Sequence, residues 1–146
     1  MRFVSLGLRR AATLAELLIT LTVVAVIAGF AVVRIARLRD AMAAREAATE
    51  IEGGLGLARE SAVAWRATVT LRLDTVQGRL DIRRGTALLR TRDLFGEYGV
   101  RLGGTRDSVV YDARGLGRGA ANATLIVRRG VTADTIVVSR LGRVRR

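Results

Sequence analysis

A long apolar segment near the N-terminus constrains this chain more than any other feature of its sequence. Residues 11–33 carry a single charge, that of Glu16, and residues 17–33 carry none. As a helix that rises 1.5 Å per residue, this segment extends about 34 Å, close to the roughly 30 Å hydrocarbon core of a bilayer. We therefore expect a membrane-inserted helix, and the acid within it needs an explanation.

Three kinds of N-terminal segment fit such a run to different degrees. A cleaved secretory signal fits poorly, because its apolar region is usually 7–15 residues long and ends at a small-residue cleavage site. A plain membrane anchor leaves Glu16 unexplained, since an acid at the centre of a spanning helix costs roughly 2.5–3.5 kcal/mol on insertion scales. The third kind is a pilin-type signal, in which an acid has a function.

The residues around Glu16 resemble such a signal. Residues 9–18 read Arg-Arg-Ala-Ala-Thr-Leu-Ala-Glu-Leu-Leu, which is similar to the class III signal of type IV prepilins and type II secretion pseudopilins. The resemblance implies that a prepilin peptidase cuts between Ala11 and Ala12, which removes residues 1–11 as a leader peptide, and that Ala12 is then N-methylated. In the family glycine and phenylalanine usually flank this bond, whereas both positions are alanine here.

The same resemblance gives Glu16 a role as the filament assembly residue. Glu16 is the fifth residue of the mature chain, four positions from Ala12 and on the same helix face. A carboxylate in lipid needs a cation, and the N-terminal amine of a neighbouring subunit can supply it. By resemblance, this contact sets the register of subunits in a filament. The alternative is a glutamate that is tolerated near the membrane surface.

Arginines lie on both sides of the apolar segment, so the positive-inside rule does not decide its orientation. Arg2, Arg9 and Arg10 precede it, and Arg34, Arg37 and Arg39 follow it. By analogy with the family, we expect a single-pass protein of the bacterial inner membrane with a cytoplasmic leader and a periplasmic C-terminal domain. The protein would assemble into a periplasmic pseudopilus.

The helical pattern continues beyond the apolar segment. Apolar residues recur at three- and four-residue spacing, first at Ile35, Leu38 and Met42 and then at Ile51, Leu55, Ala58 and Ala62. The glycines at 53, 54 and 56 mark a bend or a close packing point. We predict one helix over about residues 14–65, with residues 12–33 as its transmembrane half and residues 34–66 as its amphipathic periplasmic half.

From residue 67 the apolar period changes to two, as in a strand with one buried face. Further strands are predicted at residues 80–83, 87–90, 99–102, 108–111, 123–128 and 135–139. A helix followed by strands with short connections predicts an α+β, pilin-like fold, in which the helix packs on a small antiparallel β-sheet domain formed by residues 67–146. Residues 57–62, 69–71 and 111–115 also resemble the GspH/FimT family of minor pseudopilins.

Residue usage argues against catalysis and metal binding. The sequence has neither cysteine nor histidine, so thiolate ligands and the commonest general base are absent. The aspartates are scattered and form no calcium loop. The glycine-rich residues 115–119 do not precede a helical pattern, which favours an inter-strand loop over a phosphate-binding loop. We expect a protein that is not an enzyme and has no cofactor or metal.

The chain is strongly basic, with 25 arginines, no lysine and a net charge of +12. Biased composition explains this charge, and so does a polyanionic partner. The C-terminal sequence Gly-Arg-Val-Arg-Arg, residues 142–146, resembles a Gly-Arg-x-Arg motif of some FimT-type minor pilins that is implicated in DNA uptake. By this resemblance Arg143, Arg145 and Arg146 are the predicted DNA-binding residues, although a chain so rich in glycine and arginine also produces such a pattern by chance.

Three functions remain open at this point. The leading one is a minor pseudopilin, a structural subunit of a type II secretion pseudopilus whose partners are the inner membrane, prepilin peptidase and other pseudopilins or pilins. The alternative is a FimT-like minor type IV pilin that binds DNA during natural transformation. The third is a membrane-anchored periplasmic domain that never assembles.

Overall fold

A single long helix leads into a β-rich domain. The computed structural model describes residues 13–118 and 123–146, and the chain divides into two compact units on either side of the Ala36–Arg37 bond. Helix α1 spans Leu14–Ala64, against the predicted 14–65. Thr13 caps its first turn, since the Thr13 hydroxyl accepts a hydrogen bond of 3.2 Å from the Glu16 backbone N–H. The chain leaves the helix through Arg66, at φ +47°.

In the first unit the described residues form an exposed apolar rod. All side chains from Leu14 to Ala36 are exposed, including Leu21, Ile27 and Phe30 at 68%, 63% and 74%. Among the described residues, α1 is the one helix that is long and apolar enough to cross a membrane. Such a surface is unstable in water, so it needs either lipid or other helices around it.

The second unit, from Arg37 onward, contains the hydrophobic core. The helix contributes a stripe of small and branched residues, which are buried: Ala43, Ala44, Ala47, Ala48, Ile51, Leu55, Ala58 and Ala62. Gly54 lies in the same stripe, and a Cβ added there would be 3.2 Å from Leu80 and 3.4 Å from Leu71. The helix therefore approaches the sheet closely at Gly54, which is one of the two alternatives that the sequence left open for this glycine cluster, whereas a Cβ added at Gly53 or Gly56 would meet nothing within 4 Å.

A five-stranded antiparallel sheet forms one part of the domain. Its strand order is β3-β2-β1-β5-β6. The strands are β1 Val69–Asp74, β2 Arg79–Arg84, β3 Ala87–Asp93, β5 Ser108–Tyr111 and β6 Gly117–Arg118. Strand β3 at the edge is almost wholly exposed, whereas alternate residues of β1 and β5 are buried under α1.

A four-stranded antiparallel sheet completes the domain, in the order β4-β7-β8-β9. The strands are β4 Arg101–Gly104, β7 Ala123–Arg129, β8 Thr132–Val138 and β9 Val144–Arg145. A short helix, α2 Leu94–Tyr98, connects the two sheets; Asp93 caps its start and Gly99, at φ +63°, ends it. One apolar cluster joins α1 to the inner faces of both sheets.

The architecture confirms the predicted α+β, pilin-like fold, with one long helix on antiparallel sheets. Several details differ from the prediction, among them helix α2 and strand β9, which the sequence pattern did not predict. Ile35, Leu38 and Met42 are 49–61% exposed and contribute nothing to the core. The predicted loop over 115–119 includes a short strand, because Gly117 and Arg118 pair with β5; Gly119 lies outside the described residues.

Candidate functional site

The first turn of α1 carries the predicted filament assembly residue. Thr13 and Glu16 have the Thr-x-x-Glu spacing of a capping box, a signal that the sequence analysis did not use. One of the two hydrogen bonds of this motif is present, since the Glu16 backbone N–H donates to the Thr13 hydroxyl. Among the described residues no cation pairs with the Glu16 carboxylate. The predicted cleavage residues Ala11 and Ala12 lie outside the described part of the chain.

An apolar stripe on α1 lies opposite the core face of the same helix. Met42 precedes the buried Ile51 by nine residues, which is two and a half turns at 3.6 residues per turn. Met42 is therefore directed away from the sheet, and Leu38 and Ile35 continue this line toward the N-terminus. Helix α1 thus has two apolar faces: one is covered by this chain's own sheets, and the other is free in the described structure.

The C-terminal arginines fall into two groups. Strand β9 alternates, so Val144 packs against the core while Arg143 and Arg145 are exposed. Their side chains make no ion pair with any described carboxylate. Arg143 and Arg145 therefore lie on the same, exposed side of the chain.

Arg146 points the other way, toward α1. Its guanidinium forms an ion pair with Asp134 on β8 and donates to the Thr49 hydroxyl, at 3.2 Å, and to the Arg45 carbonyl, at 3.3 Å. The hydrogen bond from Arg146 lowers the pKa of Asp134, and Asp134 in turn raises the pKa of Arg146. The pair fastens the end of the chain to the helix.

The turn before β9 is shaped by Gly142. Gly142 has φ +75°, and a Cβ added there would lie 2.6 Å from the Tyr111 ring. The Ser139 N–H donates to the Arg143 carbonyl at 2.8 Å, which closes the turn. Burial raises the pKa of Tyr111, whose ring fills the space beneath. The glycine of the C-terminal motif is thus required by packing, whatever the arginines bind.

No group of three or more acidic residues suited to a metal occurs in residues 13–118 and 123–146. Several of the described carboxylates are instead paired with arginines or cap turns. Asp112 is an example: hydrogen bonds from the Leu116 and Arg114 backbone N–H groups lower its pKa and close the turn between β5 and β6.

A long helix with an exposed apolar half, packed on an antiparallel sheet through its other half, can be compared with known proteins. The model of the family described as "Type II transport protein GspH" matches residues 47–142. The chain belongs to the GspH family. This match begins within the core stripe of α1 and ends at Gly142, so Glu16 and the C-terminal arginines lie outside it. No curated protein matches the chain.

Solved structures of minor pilins share the fold. The type IV minor pilin FimU of Pseudomonas aeruginosa superposes with a TM-score of 0.60 at 21% identity, covering 69% of this chain and 85% of FimU. The minor pseudopilin EpsH from the type 2 secretion system of Vibrio cholerae superposes with a TM-score of 0.56 at 16% identity, covering 70% of this chain and 94% of EpsH. At these identities the likeness concerns the fold.

Proposed function

We propose that this GspH-family chain is a minor pseudopilin, a structural subunit of a type II secretion pseudopilus. The observation that carries the proposal is the fully exposed apolar surface of α1 from Leu14 to Ala36, which no described part of the chain covers. A lone membrane anchor needs lipid along its span only. Here the apolar face continues through Leu38 and Met42, beyond the predicted span, where a neighbouring subunit can cover it.

Assembly depends on the first mature turn of the helix in this proposal. Prepilin peptidase cuts between Ala11 and Ala12, Ala12 becomes the methylated N-terminus, and the Glu16 carboxylate accepts the amine of a neighbouring subunit. The cost of a bare carboxylate in lipid supports this pairing. The β-rich domain is then periplasmic.

The processing step is tested by mass spectrometry of the full chain, produced in a host that contains a prepilin peptidase. We expect a mature mass that begins at a monomethylated Ala12. A protein that retains Met1 contradicts the proposal.

The assembly step is tested by Glu16→Gln in the assembled system. We expect the variant to be inserted and cleaved like the wild type but to be lost from crosslinked filaments, because its uncharged side chain no longer attracts the amine. The matched control is Glu46→Gln, at an exposed position on the same helix. Equal incorporation of all three proteins excludes Glu16 as the assembly residue.

A second candidate function is DNA capture by a FimT-like minor type IV pilin. It is favoured by the exposure of Arg143 and Arg145 on one side of the terminal strand, without an acidic partner among the described residues. Two such guanidinium groups suit adjacent phosphates. Arg146 is engaged with Asp134, so it contributes only if that pair opens.

Two experiments separate the candidates. The first is complementation of a secretion strain that lacks its own minor pseudopilin of this family. If this chain is a secretion subunit, it restores export of the secreted proteins; if it is a DNA-binding pilin, it does not. In a fluorescence anisotropy titration with labelled duplex DNA, Arg143→Gln with Arg145→Gln weakens binding and lowers its salt dependence if these residues contact phosphates. Unchanged affinity excludes them as the site.

A further inference from the structure

Two arginines on the four-stranded sheet lie directly opposite each other. Arg101 on β4 and Arg128 on β7 are register partners, which places their Cβ atoms about 4.5–5.5 Å apart. Both side chains are exposed. Like charges in this arrangement destabilise a sheet, so the pair needs either a stabilising partner or a function that outweighs the cost.

No acid within the described chain supplies that partner. Seven arginine–carboxylate pairs are present there, and neither Arg101 nor Arg128 belongs to one. The adjacent Arg129 shows the contrast: its guanidinium donates to Asp40 at 3.0 Å and also to the Tyr98 carbonyl. Alternation along β7 directs Arg129 toward the helix and leaves Arg128 on the opposite surface.

The sheet face that carries the arginine pair has no acidic residue of its own. The outer face of the four-stranded sheet consists of the alternate residues of its strands that point away from α1. They are Arg101, Gly103, Thr124, Ile126, Arg128, Ala133, Thr135, Val137 and Arg145. None of them is acidic, three are arginine, and two are threonines whose hydroxyls can donate to phosphate oxygens.

The outer face also has room for a ligand beside the pair. One hollow of about 440 Å³ is lined by Gly99, Arg101, Arg128 and Gly130. A second hollow, of about 300 Å³, lies on the other side of the same two arginines, next to Gly103 and Ile126. A Cβ added at Gly103, on the edge strand β4, would meet nothing within 4 Å, so the face is open beside the arginine pair.

The extent of the outer face indicates a polymeric anion. Arg128 and Arg145 are separated by two strand spacings across the sheet, and their partners Ala133 and Val137 are four residues apart along β8. With strands about 4.8 Å apart and about 3.4 Å per residue, the two arginines are roughly 17 Å apart. A single phosphate cannot bridge this distance, whereas one strand of a duplex advances 3.4 Å per phosphate.

We propose that the outer face of the four-stranded sheet binds the phosphate backbone of nucleic acid, with Arg101 and Arg128 as a clamp at one end and Arg145 at the other. The proposal rests on the second candidate function, DNA capture, and extends its site from the terminal strand to a whole sheet face. Binding is independent of base sequence, because the polar side chains of this face, three arginines and two threonines, are donors suited to backbone phosphates, and no aromatic side chain on the face offers a stacking surface.

The test is an anisotropy titration of the full chain in nonionic detergent against fluorescein-labelled duplex DNA, between 50 and 200 mM salt. Arg101→Gln with Arg128→Gln is expected to weaken binding about tenfold or more and to lower the salt slope by about 1.8, the value for two lost phosphate contacts. The matched control is Arg72→Gln with Arg79→Gln on the five-stranded sheet, where Asp81 and Asp74 lie opposite. It has the same net charge and is expected to bind within about threefold of the wild type.

Several results would overturn the proposal. If the control variant loses as much DNA affinity as the test variant, binding depends on net charge alone. If affinity falls in Arg143→Gln with Arg145→Gln but not in Arg101→Gln with Arg128→Gln, DNA capture stands and the sheet face is rejected as its site. No binding by the wild type rejects both. A vesicle flotation assay with anionic phospholipid covers the remaining outcome. If Arg101→Gln with Arg128→Gln lowers the bound fraction in that assay but leaves the DNA affinity unchanged, the arginine pair binds lipid phosphate instead.

A second variant separates ligand binding from folding. Arg128→Glu places an acid opposite Arg101 and should raise the melting temperature while it removes DNA binding. Binding that falls together with the melting temperature, both here and in the double glutamine variant, assigns the two arginines to stability and overturns the proposal.

Discussion

Gly53 and Gly54 are neighbours in α1, and their surroundings differ completely. Gly53 is exposed, and a Cβ added there would meet nothing within 4 Å. Gly54 is buried, with the Leu80 and Leu71 methyl groups at the limit of contact. Glycine lowers helix stability at both positions, but only at Gly54 does it allow the sheet to approach.

We expect opposite results from substitutions at these two glycines. Gly53→Ala should raise the free energy of unfolding by about 0.5–1 kcal/mol, the difference in helix propensity. Gly54→Val should lower it by about 1–3 kcal/mol, because its methyl groups overpack the contact with Leu80. Urea denaturation measures both values. A Gly54→Val variant as stable as the wild type would show that the helix and sheet separate easily here.

At the scale of elements, β9 is a two-residue strand that depends on its anchors. It is paired to β8 at Val137 and Val138, and the Arg146–Asp134 pair holds its end against α1. Both partners are roughly three-quarters buried, with 27% and 23% of their side chains exposed. The pair is therefore less screened than a typical surface ion pair.

Acid should weaken this anchor. Because Arg146 lowers the pKa of Asp134 in the folded chain, the pair stabilises the fold fully above the unfolded pKa of about 3.9. That contribution is lost as the pH falls through the lower, folded value. At pH 7 we expect Asp134→Asn to lower the free energy of unfolding by about 0.5–1 kcal/mol. The difference from the wild type should vanish once the pH is below the folded pKa of Asp134.

A double-mutant cycle with Arg146→Gln checks that the effect belongs to the pair. If the two single variants and the double variant are equally destabilised, the coupling lies between these two side chains. Hydrogen exchange should then report faster exchange in β9 in all three. Additive losses would show that the two residues act through separate contacts.

The two apolar faces of α1 give a further prediction. Met42→Ser with Leu38→Ser should leave the free energy of unfolding within about 0.5 kcal/mol of the wild type, since both side chains are more than half exposed. The same variant should be depleted from crosslinked filaments. Ile51→Ala, on the core face, should cost about 2–5 kcal/mol. A large loss of stability in the serine variant would mean that its stripe packs within the chain.

Sequence patterns predicted the long elements well, because α1 and strands β1, β2 and β7 carry a clear period over six or more residues. Strands β6 and β9 have two residues each, and only pairing partners far along the chain define them. Helix α2 is too short for a period, although Asp93 and Gly99 at its ends are typical cap residues. The Arg101–Arg128 opposition depends on strand register, which no local pattern specifies.

The apolar stripe at Ile35, Leu38 and Met42 shows that sequence spacing predicts a helix but not which of its faces is buried. Its spacing correctly indicated a helix, but spacing does not say which of two apolar faces a sheet will cover. The deciding factor is the set of four buried alanines at positions 43, 44, 47 and 48, which lets the sheets approach the helix closely. Residues opposite that run stay exposed whatever their hydrophobicity.

At the scale of the whole molecule, the residues of the core cluster belong to one unit. Every residue of that cluster lies between Ala47 and Val138, with Ala43 and Ala44 buried beside it. The described residues before Arg37 bury no side chain. The folding free energy of the domain therefore comes from the part of the chain after Ala36.

This distribution predicts that residues 37–146 fold without the apolar segment. We expect the fragment to unfold cooperatively in circular dichroism, at a temperature within about 5 °C of the full chain in nonionic detergent, a difference of roughly 1 kcal/mol.

The control fragment, residues 49–146, lacks four buried alanines and the Asp40 partner of Arg129. At about 0.8 kcal/mol for each buried methyl group, it should lose about 3 kcal/mol and melt more than 10 °C lower. If both fragments melt alike, the first turns of the core stripe add nothing to the domain. If neither folds, the apolar half of α1 is required for folding as well as for insertion.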